Sequence, residues 1–286
     1  MSRSLSIIVP AYNESSRLGE SLTRIFSFLE LHFPGSEVIV VDDGSTDNTI
    51  EVAEESFAGR DQTRARIIRV HPNRGKGHAV RLGLLAAKYP IALFSDSDLS
   101  TPIEEASKLV DTIDSGEVDI AFGSRALDRS LIGVHQPWRR EQGGRFFNLV
   151  VRLATGLPFW DTQCGFKAFR MATFRPICEA SKIDRFGFDV ELLFVGYLAG
   201  LRLKEVAVRW DHNDGSKLNM FSDTFKAFDE IRTIRKLVKQ GAYEYAVKLA
   251  KKALEDSDLG RELPEASGLT SVPNSQDELV AANHRE

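Results

Sequence analysis

Short apolar runs alternate with amphipathic segments over the first 125 residues of the chain. The apolar runs are rich in β-branched residues and predict strands at 5–9, 37–41, 66–70, 91–94 and 118–122. Between them, apolar residues recur at helical spacing, as at Leu18, Leu22, Ile25 and Leu29, and residues 49–57 follow a helical pattern as well. Strands that alternate with helices predict an α/β fold with a Rossmann-like, mostly parallel sheet and helices on both faces.

A helix is predicted to begin soon after the fourth strand. Thr101 is expected at the N-cap, Pro102 at the first helical position, and Glu104 would complete a capping box.

The remainder of the chain has a less regular pattern. Residues 126–145 have weak periodicity and many arginines, and predict a long loop of the kind that is usually functional in a compact domain. Helices are predicted at 143–154, 187–198 and 221–254, the last of them broken at Gly241, and a strand at 204–210. From Asp256 onward the composition turns to Ser, Glu, Pro and Asn without aromatic residues, which predicts a disordered tail.

The composition narrows the class of protein. With 42% apolar and 27% charged residues, the chain is neither a disordered polymer nor a disulfide scaffold. Its net charge of −4 argues against nucleic acid as a partner. The two cysteines predict reduced thiols in a cytosolic protein. Neither a signal peptide nor a membrane span is evident, so we expect a cytoplasmic protein, if anything peripheral on the cytoplasmic face of a membrane.

Acidic side chains follow two of the predicted strands. Asp96 and Asp98 come directly after the strand at 91–94. Two carboxylates this close repel each other, and a hard cation such as Mg²⁺ or Mn²⁺ removes that cost; the alternative is that both residues cap a turn. Asp42 and Asp43 end another strand, where they can accept hydrogen bonds from a base or ribose; the alternative is an N-cap cluster in which Ser45 or Asp47 caps the next helix. The carboxyl ends of parallel strands are where such folds bind ligands.

Several short motifs, taken in order, resemble a known family. Pro10-Ala-Tyr-Asn-Glu14, Val41-Asp-Asp-Gly-Ser45, Asn73-Arg-Gly-Lys-Gly77, Asp96-Ser-Asp98 and Gly123-Ser-Arg125 are similar to the motifs of the inverting family-2 glycosyltransferases. Asp161-Thr-Gln-Cys-Gly-Phe-Lys167, Phe188-Asp-Val-Glu-Leu-Leu193 and Asp214-Gly-Ser-Lys217 resemble the subgroup of dolichyl-phosphate β-glucosyltransferases and their prokaryotic polyprenyl-phosphate relatives.

The resemblance implies a GT-A fold, a nucleotide-sugar donor such as UDP-glucose and a polyprenyl-phosphate acceptor. It implies a GT-A domain at 1–220, with a nucleotide-sugar half at 1–125 and an acceptor half at 126–220. A C-terminal helical extension at 221–255 and the tail at 256–286 would follow. Residues that match the donor-binding motifs are expected to bind the nucleotide sugar: Pro10, Tyr12, Glu14, Asp42, Asp43, Lys76, Asp96 and Ser97. Asp96 and Asp98 would bind the metal and the diphosphate, and Asp98 would thereby serve catalysis.

The chain departs from this resemblance in two ways. Related eukaryotic enzymes carry an N-terminal membrane anchor that is not evident here, and Ser100 stands where some polyprenyl-phosphate mannosyltransferases have an amide. A soluble hydroxyl acceptor, a GDP-mannose donor and a non-catalytic role in binding nucleotide sugars therefore remain as alternatives.

The chemistry of the acceptor determines which further side chains the site needs. A hydroxyl acceptor needs a base, for which Asp189 is favoured over Glu191 by the resemblance, whereas a phosphate monoester is already largely a dianion and needs cations to position it. Candidate contacts to the acceptor are the side chains of Arg125, Arg139, Arg140, Gln163 and Lys217, of which Arg125 is also expected to act in catalysis. His212 is a candidate third metal ligand, although a lone histidine is more often structural.

A basic amphipathic helix is predicted between Arg232 and Lys252. It carries seven Lys or Arg against one acid, Glu244, with an apolar stripe at Ile231, Ile234, Leu237 and Val238. Such a helix would lie on anionic lipid, or would pack on the domain with a solvated basic face.

Overall fold

The computed structural model describes residues 3–61, 64–134, 138–212 and 220–262, and the side chains of all of these except 138–140, 220–227 and 258–262. Strands are β1 (Ser6–Ala11), β2 (Glu37–Asp42), β3 (Ala65–Arg69), β4 (Ile91–Ser95), β5 (Ile120–Ser124), β6 (Ile132–Val134), β7 (Phe166–Arg170), β8 (Leu203–Ala207) and β9 (Trp210–Asp211). Helices are α1 (Leu18–His32), α2 (Thr49–Phe57), α3 (Lys76–Ala86), α4 (Ala106–Asp114), α5 (Trp138–Thr155), α6 (Met171–Ala180), α7 (Phe188–Leu198), α8 (Met220–Lys239) and α9 (Glu244–Glu262).

The main sheet has the strand order β3-β2-β1-β4-β7-β5-β8. Its pairings are parallel except those of β7, which runs antiparallel between β4 and β5. Strands β6 and β9 form a separate parallel pair. The prediction of a mostly parallel sheet is confirmed, and the carboxyl ends of β1, β2, β4 and β5 share one edge, here called the donor edge.

Alternate residues of the strands pack into two hydrophobic cores, one on each face of the sheet. Ile7 and Val9 pack with α1, α2 and α4, while Ile8 packs on the opposite face with α3 and α7. This period of two is what a strand covered on both faces requires. The helices therefore cover both faces, as predicted.

Several sequence predictions about the elements need correction. Helix α4 begins at Ala106 after a short 3₁₀ turn at Ile103–Glu105, so the capping box is wrong. The residues expected to form the capping box have other partners. Thr101 is buried with its Oγ1 3.7 Å from Cys164 Sγ, and Glu104 pairs with Arg24 at the surface.

The long loop at 126–145 is also shorter than predicted. It contains a 3₁₀ turn and β6, and α5 begins at Trp138 rather than near residue 143. Predicted strand 204–210 is divided into β8 and β9. Strand β7 and helix α6 were not predicted at all.

The C-terminal part is helical with a break at Gly241, as predicted. Gly241 has φ +73, a left-handed conformation that ends α8 and turns the chain into α9. Helix α9 extends to Glu262, beyond the predicted boundary at 256, and the predicted disorder of residues 263–286 lies outside the described residues. Among the helices described, none is both long and apolar enough to cross a bilayer.

Both cysteines are free and buried, in agreement with the prediction of reduced thiols. Burial raises the pKa of Cys164 to about 11 and that of Cys178 to about 12, since a thiolate is poorly solvated there. Neither thiol has the features of a reactive cysteine.

Replacing Gly83 with alanine tests the contact between α3 and the sheet. A Cβ at this position would lie 2.3 Å from Ile8 Cγ2, so the helix must shift away from β1. We expect Gly83→Ala to lower the free energy of unfolding by about 1–3 kcal/mol in urea titrations. Gly144→Ala is the matched control, because its Cβ meets no atom within 4 Å. Equal stability of the two variants would contradict the close packing.

Candidate functional site

The acidic pair after β4 lies at the centre of the donor edge. The Asp96 backbone N–H donates to Gly165 O at 3.0 Å, which ties this turn to the start of β7. A Cβ on residue 165 would lie 2.1 Å from Asp96 Oδ2, so only glycine leaves room for the carboxylate. The Asp96 carboxylate is ion-paired with Lys76 at the start of α3. The acidic pair and Lys76 are thus brought together, as their motifs predict.

Asp98 completes the acidic pair. Its Oδ1 accepts the Ser100 N–H at 2.9 Å, and its Oδ2 lies 3.9 Å from Arg17 Nη1. Burial and the nearby Asp96 carboxylate both raise the pKa of Asp98. Leu99 has φ +45, a strained value for a leucine, and such strain persists at functional sites. Crowding of negative charge on a strained turn is what a bound cation would relieve.

A divalent metal fits this pair. Carboxylate oxygens are the ligands that Mg²⁺ and Mn²⁺ prefer, and these ions usually take one or two carboxylates together with substrate phosphates. Among the described residues, no three His, Cys, Asp or Glu side chains gather to hold an ion. His212 stacks on Trp210 with ring centroids 5.9 Å apart, and its role as a third ligand stays a prediction.

Lys76 and Asp189 connect the acidic pair to a second buried ion pair. Asp189 Oδ1 accepts from Lys167 Nζ at 2.5 Å, and Lys167 is 0% exposed. Burial alone would lower the pKa of Lys76, but the carboxylates of Asp96 and Asp189 raise it. Burial raises the pKa of Asp189, while Lys167 and Lys76 oppose this effect. Positive and negative side chains thus alternate at the donor edge: Asp96 pairs with Lys76, Lys76 is influenced by Asp189, and Asp189 pairs with Lys167.

Lys167 belongs to one of the quoted motifs but, unlike Asp189, had no predicted role. The available signal was a lysine flanked by phenylalanine and alanine in the run Phe166–Arg170, where a charge needs a buried partner. Besides Asp189, Lys167 Nζ contacts Cys164 O at 2.6 Å and lies 5.3 Å from the Phe94 ring centroid.

The side chains of Asp189 and Glu191, both on α7, have different partners. Glu191 accepts the backbone N–H groups of Lys182 and Ile183 and the hydroxyl of Tyr243, away from Lys167. The two carboxylates therefore have separate sets of partners. The catalytic role of Asp189 stays a prediction.

Asp42 and Asp43 make backbone contacts. Asp42 accepts the N–H groups of Gly44 and Ser45, and Asp43 accepts those of Arg74 and Gly75 at 3.0 and 2.7 Å. These two carboxylates therefore hold the turns that follow β2 and precede α3, while Asp47 accepts the Thr49 N–H at 3.1 Å at the start of α2. Contacts of these carboxylates with a base or ribose stay a prediction.

The other residues predicted to bind the nucleotide sugar lie along the same edge. Pro10 and Ser97 are buried, whereas Tyr12 is 43% exposed and available to a ligand. The Glu14 carboxylate is paired with Arg17, another residue that the sequence analysis did not single out. Arg17 thus pairs with Glu14 and also lies near the Asp98 carboxylate.

Arg125, predicted to contact the acceptor, is paired with a buried carboxylate. Its Nε and Nη2 donate to the two carboxylate oxygens of Asp161 at 2.7 and 2.8 Å, so its fork is already occupied. Burial alone would raise the pKa of Asp161, but the Arg125 guanidinium lowers it. The buried Asp161 carboxylate is thus paired with the half-buried Arg125 guanidinium, which fixes the Nε–Nη2 edge of that side chain. The roles of Arg125 in acceptor binding and catalysis stay predictions.

The other predicted acceptor contacts are less well defined. Gln163 is half-buried between α5 and β7. The side chains of Arg139 and Arg140 and the whole of Lys217 lie outside the described residues.

A cavity of about 570 Å³ opens beside Arg125, between α5 and the segment after β5. Four arginines and two carboxylates line it, together with Trp160 and Trp210; the arginines are Arg125, Arg129, Arg145 and Arg152. Arg152 lies over the Trp160 ring, 3.9 Å from its centroid. The cavity has a net positive lining and suits an anionic ligand with an apolar part.

Replacing Gly165 tests the geometry of the acidic pair. Gly165→Ala should push the Asp96 carboxylate away from its present position, and we expect it to weaken binding of UDP with Mn²⁺ about ten-fold or more in calorimetric titrations. Gly144→Ala should bind as the unmodified protein does, since its Cβ meets open space. Unchanged affinity of Gly165→Ala would mean that Asp96 does not hold the metal and diphosphate.

Comparisons with known proteins agree with this arrangement. The family model for glycosyl transferase family 2 matches residues 6–177. The dolichyl-phosphate beta-glucosyltransferase of Drosophila melanogaster is 40% identical over 231 residues, covering 76% of this chain and 70% of that protein. The human protein of the same name is 33% identical over 253 residues, covering 84% and 78%.

A solved structure gives the same fold. Glucosyl-3-phosphoglycerate synthase from Mycobacterium tuberculosis, crystallised with Mn²⁺, uridine diphosphate and glucosyl-3-phosphoglycerate, superposes with a TM-score of 0.60 at 19% identity. The match covers 81% of this chain and 80% of that chain. The expected GT-A fold is confirmed. On the strength of the family model and of these relatives, the chain belongs to glycosyl transferase family 2 and is a hexosyltransferase.

Proposed function

We propose that the protein transfers glucose from UDP-glucose to a polyprenyl phosphate, with inversion at the anomeric carbon and with Mg²⁺ or Mn²⁺. The observation that carries the proposal is the acidic pair at the donor edge, with Asp96 paired to Lys76 and cradled by Gly165. The names of the relatives, dolichyl-phosphate beta-glucosyltransferases, support the sugar and the class of acceptor. The solved structure with Mn²⁺ and UDP supports the nucleotide and the metal.

The leaving group determines what the donor edge must do. Glycosyl transfer builds positive charge at the anomeric centre and negative charge on the departing diphosphate. A divalent ion held by Asp96 and Asp98, when bound, supplies positive charge to that diphosphate. Lys76 supplies a second positive charge from the protein, because its ammonium already lies against Asp96. With the ion bound, both charges would be in place before the reaction, which is the arrangement that stabilises a transition state.

The cavity beside Arg125 is the proposed place for the acceptor. A phosphate monoester is already nucleophilic near neutral pH, so the protein must position it rather than deprotonate it. Arg129 and Arg145 share the Glu141 carboxylate at 2.6 and 3.0 Å, which keeps two cations at the mouth of the cavity. Arg125, which is paired with Asp161, directly follows β5 and lines the cavity.

A soluble hydroxyl acceptor is the second candidate, and Asp189 favours it. Burial raises the pKa of this carboxylate, which makes it a stronger base than an exposed aspartate. With a phosphate acceptor, the same carboxylate acts as the counter-charge of Lys167 and Lys76 and accepts no proton. The two candidates differ in the product, which is extracted into a lipid phase only in the first case.

Contact with a membrane is proposed through α5. Phe146, Leu149 and Leu153 are 60%, 49% and 79% exposed at helical spacing, and Trp160 is exposed beside them. An apolar helix face with arginines along its border suits the surface of an anionic bilayer. In the predicted basic helix, by contrast, Ile231 and Ile234 are buried in the core, so the apolar stripe of that helix packs on the domain.

Transfer of labelled glucose tests the proposed reaction. We expect the protein to move glucose from UDP-glucose, but not mannose from GDP-mannose, into polyprenyl phosphate extracted into organic solvent. EDTA should abolish the transfer, and added Mn²⁺ or Mg²⁺ should restore it. Asp98→Asn should lower kcat about 100-fold or more, because a ligand of the metal is lost. Asp229→Asn, at an exposed site on α8, is the matched control.

Three results would contradict the proposal. Transfer that persists at full rate in EDTA would exclude the metal. Preference for GDP-mannose would exclude the donor. Glucose transferred to a soluble alcohol and not to polyprenyl phosphate would establish the second candidate instead.

Flotation with vesicles tests the membrane contact. Vesicles of phosphatidylcholine and phosphatidylglycerol at low salt should carry the protein upward. Leu149→Ser combined with Leu153→Ser should reduce the floated fraction about ten-fold or more, since two large apolar side chains no longer enter the bilayer. Leu31→Ser, at a position that is 76% exposed on α1, is the control. Flotation of the double variant at the level of the unmodified protein would refute α5 as the contact.

A further inference from the structure

The segment 181–187, between α6 and α7, lies between the donor edge and the C-terminal helices. We call it the bridging segment. It carries no residue of the proposed reaction, yet it leads directly into Asp189. Its contacts on either side show how it is held.

On one side, the bridging segment packs against the start of α3. The His78 N–H donates to Asp184 O at 3.1 Å. A Cβ on Gly75 would lie 2.5 Å from Asp184 O, and one on Gly77 would lie 2.6 Å from Ile183 O. The backbone of the bridging segment therefore approaches the two neighbours of Lys76 so closely that only glycine fits.

The Asp184 side chain reinforces the same contact. Its carboxylate pairs with Arg74 at 2.9 Å and with Arg81 at 2.6 Å, which lie before and within α3. Burial alone would raise the pKa of Asp184, but the hydrogen bonds from the two arginines lower it. The position of Lys76 thus depends on the bridging segment.

On the other side, the bridging segment is held by Glu191 and Tyr243. Glu191 is 0% exposed and accepts the N–H groups of Lys182 at 2.7 Å and Ile183 at 3.0 Å. The Tyr243 hydroxyl, at the start of α9, donates to the same carboxylate at 2.5 Å. A buried carboxylate needs such donors, and this one takes one of them from the C-terminal helices.

Helix α8 makes the second contact. Glu230 Oε2 accepts the Gly187 N–H at 2.6 Å, one residue before α7 begins. A Cβ on Gly187 would lie 2.8 Å from Glu230 Cβ, so the two backbones are in close contact. Helices α8 and α9 therefore hold the bridging segment at both of its ends.

We infer that α8 and α9 form a clamp that positions Lys76 and Asp189 through the bridging segment, with Glu230 and Tyr243 as positioning residues. The clamp deepens the proposed function, because it concerns the donor edge of the same reaction. Asp189 is two residues from Gly187 and two from Glu191, so displacement of either clamp contact moves the start of α7. Displacement of the segment also releases the backbone packed on Gly75 and Gly77.

Hydrogen exchange tests the clamp without reference to any substrate. Tyr243→Phe removes one donor from the buried Glu191 carboxylate and keeps the ring. We expect exchange in peptides covering 74–79 and 182–191 to accelerate about five-fold or more, while peptides from β1 and β2 stay unchanged. Tyr245→Phe is the matched control, because Tyr245 lies two residues away and is 76% exposed. Glu230→Ala removes the acceptor of the second contact, is followed by the same measurement and serves in place of Tyr243→Phe if that variant does not fold.

Turnover gives the second readout. We expect kcat per bound UDP, with binding sites counted by titration in Mn²⁺, to fall about ten-fold in Tyr243→Phe. A merely structural role would lower the number of binding sites or the thermal midpoint and leave kcat per site intact.

Two results would overturn the clamp. One is unchanged exchange at 74–79 and 182–191; the other is acceleration spread evenly over the molecule. An unmodified protein that does not turn over UDP-glucose would refute the proposed donor instead, and the exchange measurement would still decide the clamp.

Discussion

Opposite charges held behind the donor edge constrain the rest of the molecule. Lys167 and Asp189 are both buried, and Lys76 lies against Asp96 in front of them. Removing an ion from water costs several kcal/mol, and only a partner at hydrogen-bond distance offsets this cost. The four groups come from β7, α7, α3 and the turn after β4. Since Lys167 and Asp189 are buried, β7 and α7 must keep their contact, or a charge is left unpaired in the interior.

This requirement explains why glycines surround the site. Gly165 leaves room for the Asp96 carboxylate, and Gly75 and Gly77 allow the start of α3 to contact the bridging segment. A side chain at any of these positions would separate groups that the charges need to keep together. Close backbone approach and buried charge are thus two aspects of one arrangement, and the donor site lies where both occur.

Part of the fold and of the site could be predicted from the sequence because their signals are local. The strands β1, β2, β4 and β5 are apolar runs, and each is followed within a few residues by polar residues that face the donor edge. The rest depends on distant partners. Strand β7 was missed because Lys167 interrupts its apolar pattern, and its counter-charge is 22 residues away. Likewise, no residue near Arg125 in the sequence indicates that its guanidinium pairs with Asp161, 36 residues later.

The antiparallel strand β7 has one more consequence. The chain leaves the sheet at the end of β5 and returns beside it in β7, so that the excursion carrying α5 and the cavity begins and ends on adjacent strands. A loop anchored in this way can change in length or helical content without altering the order of the strands. The part proposed to meet the acceptor is therefore free to diversify, while the edge proposed to hold the sugar nucleotide keeps its shape.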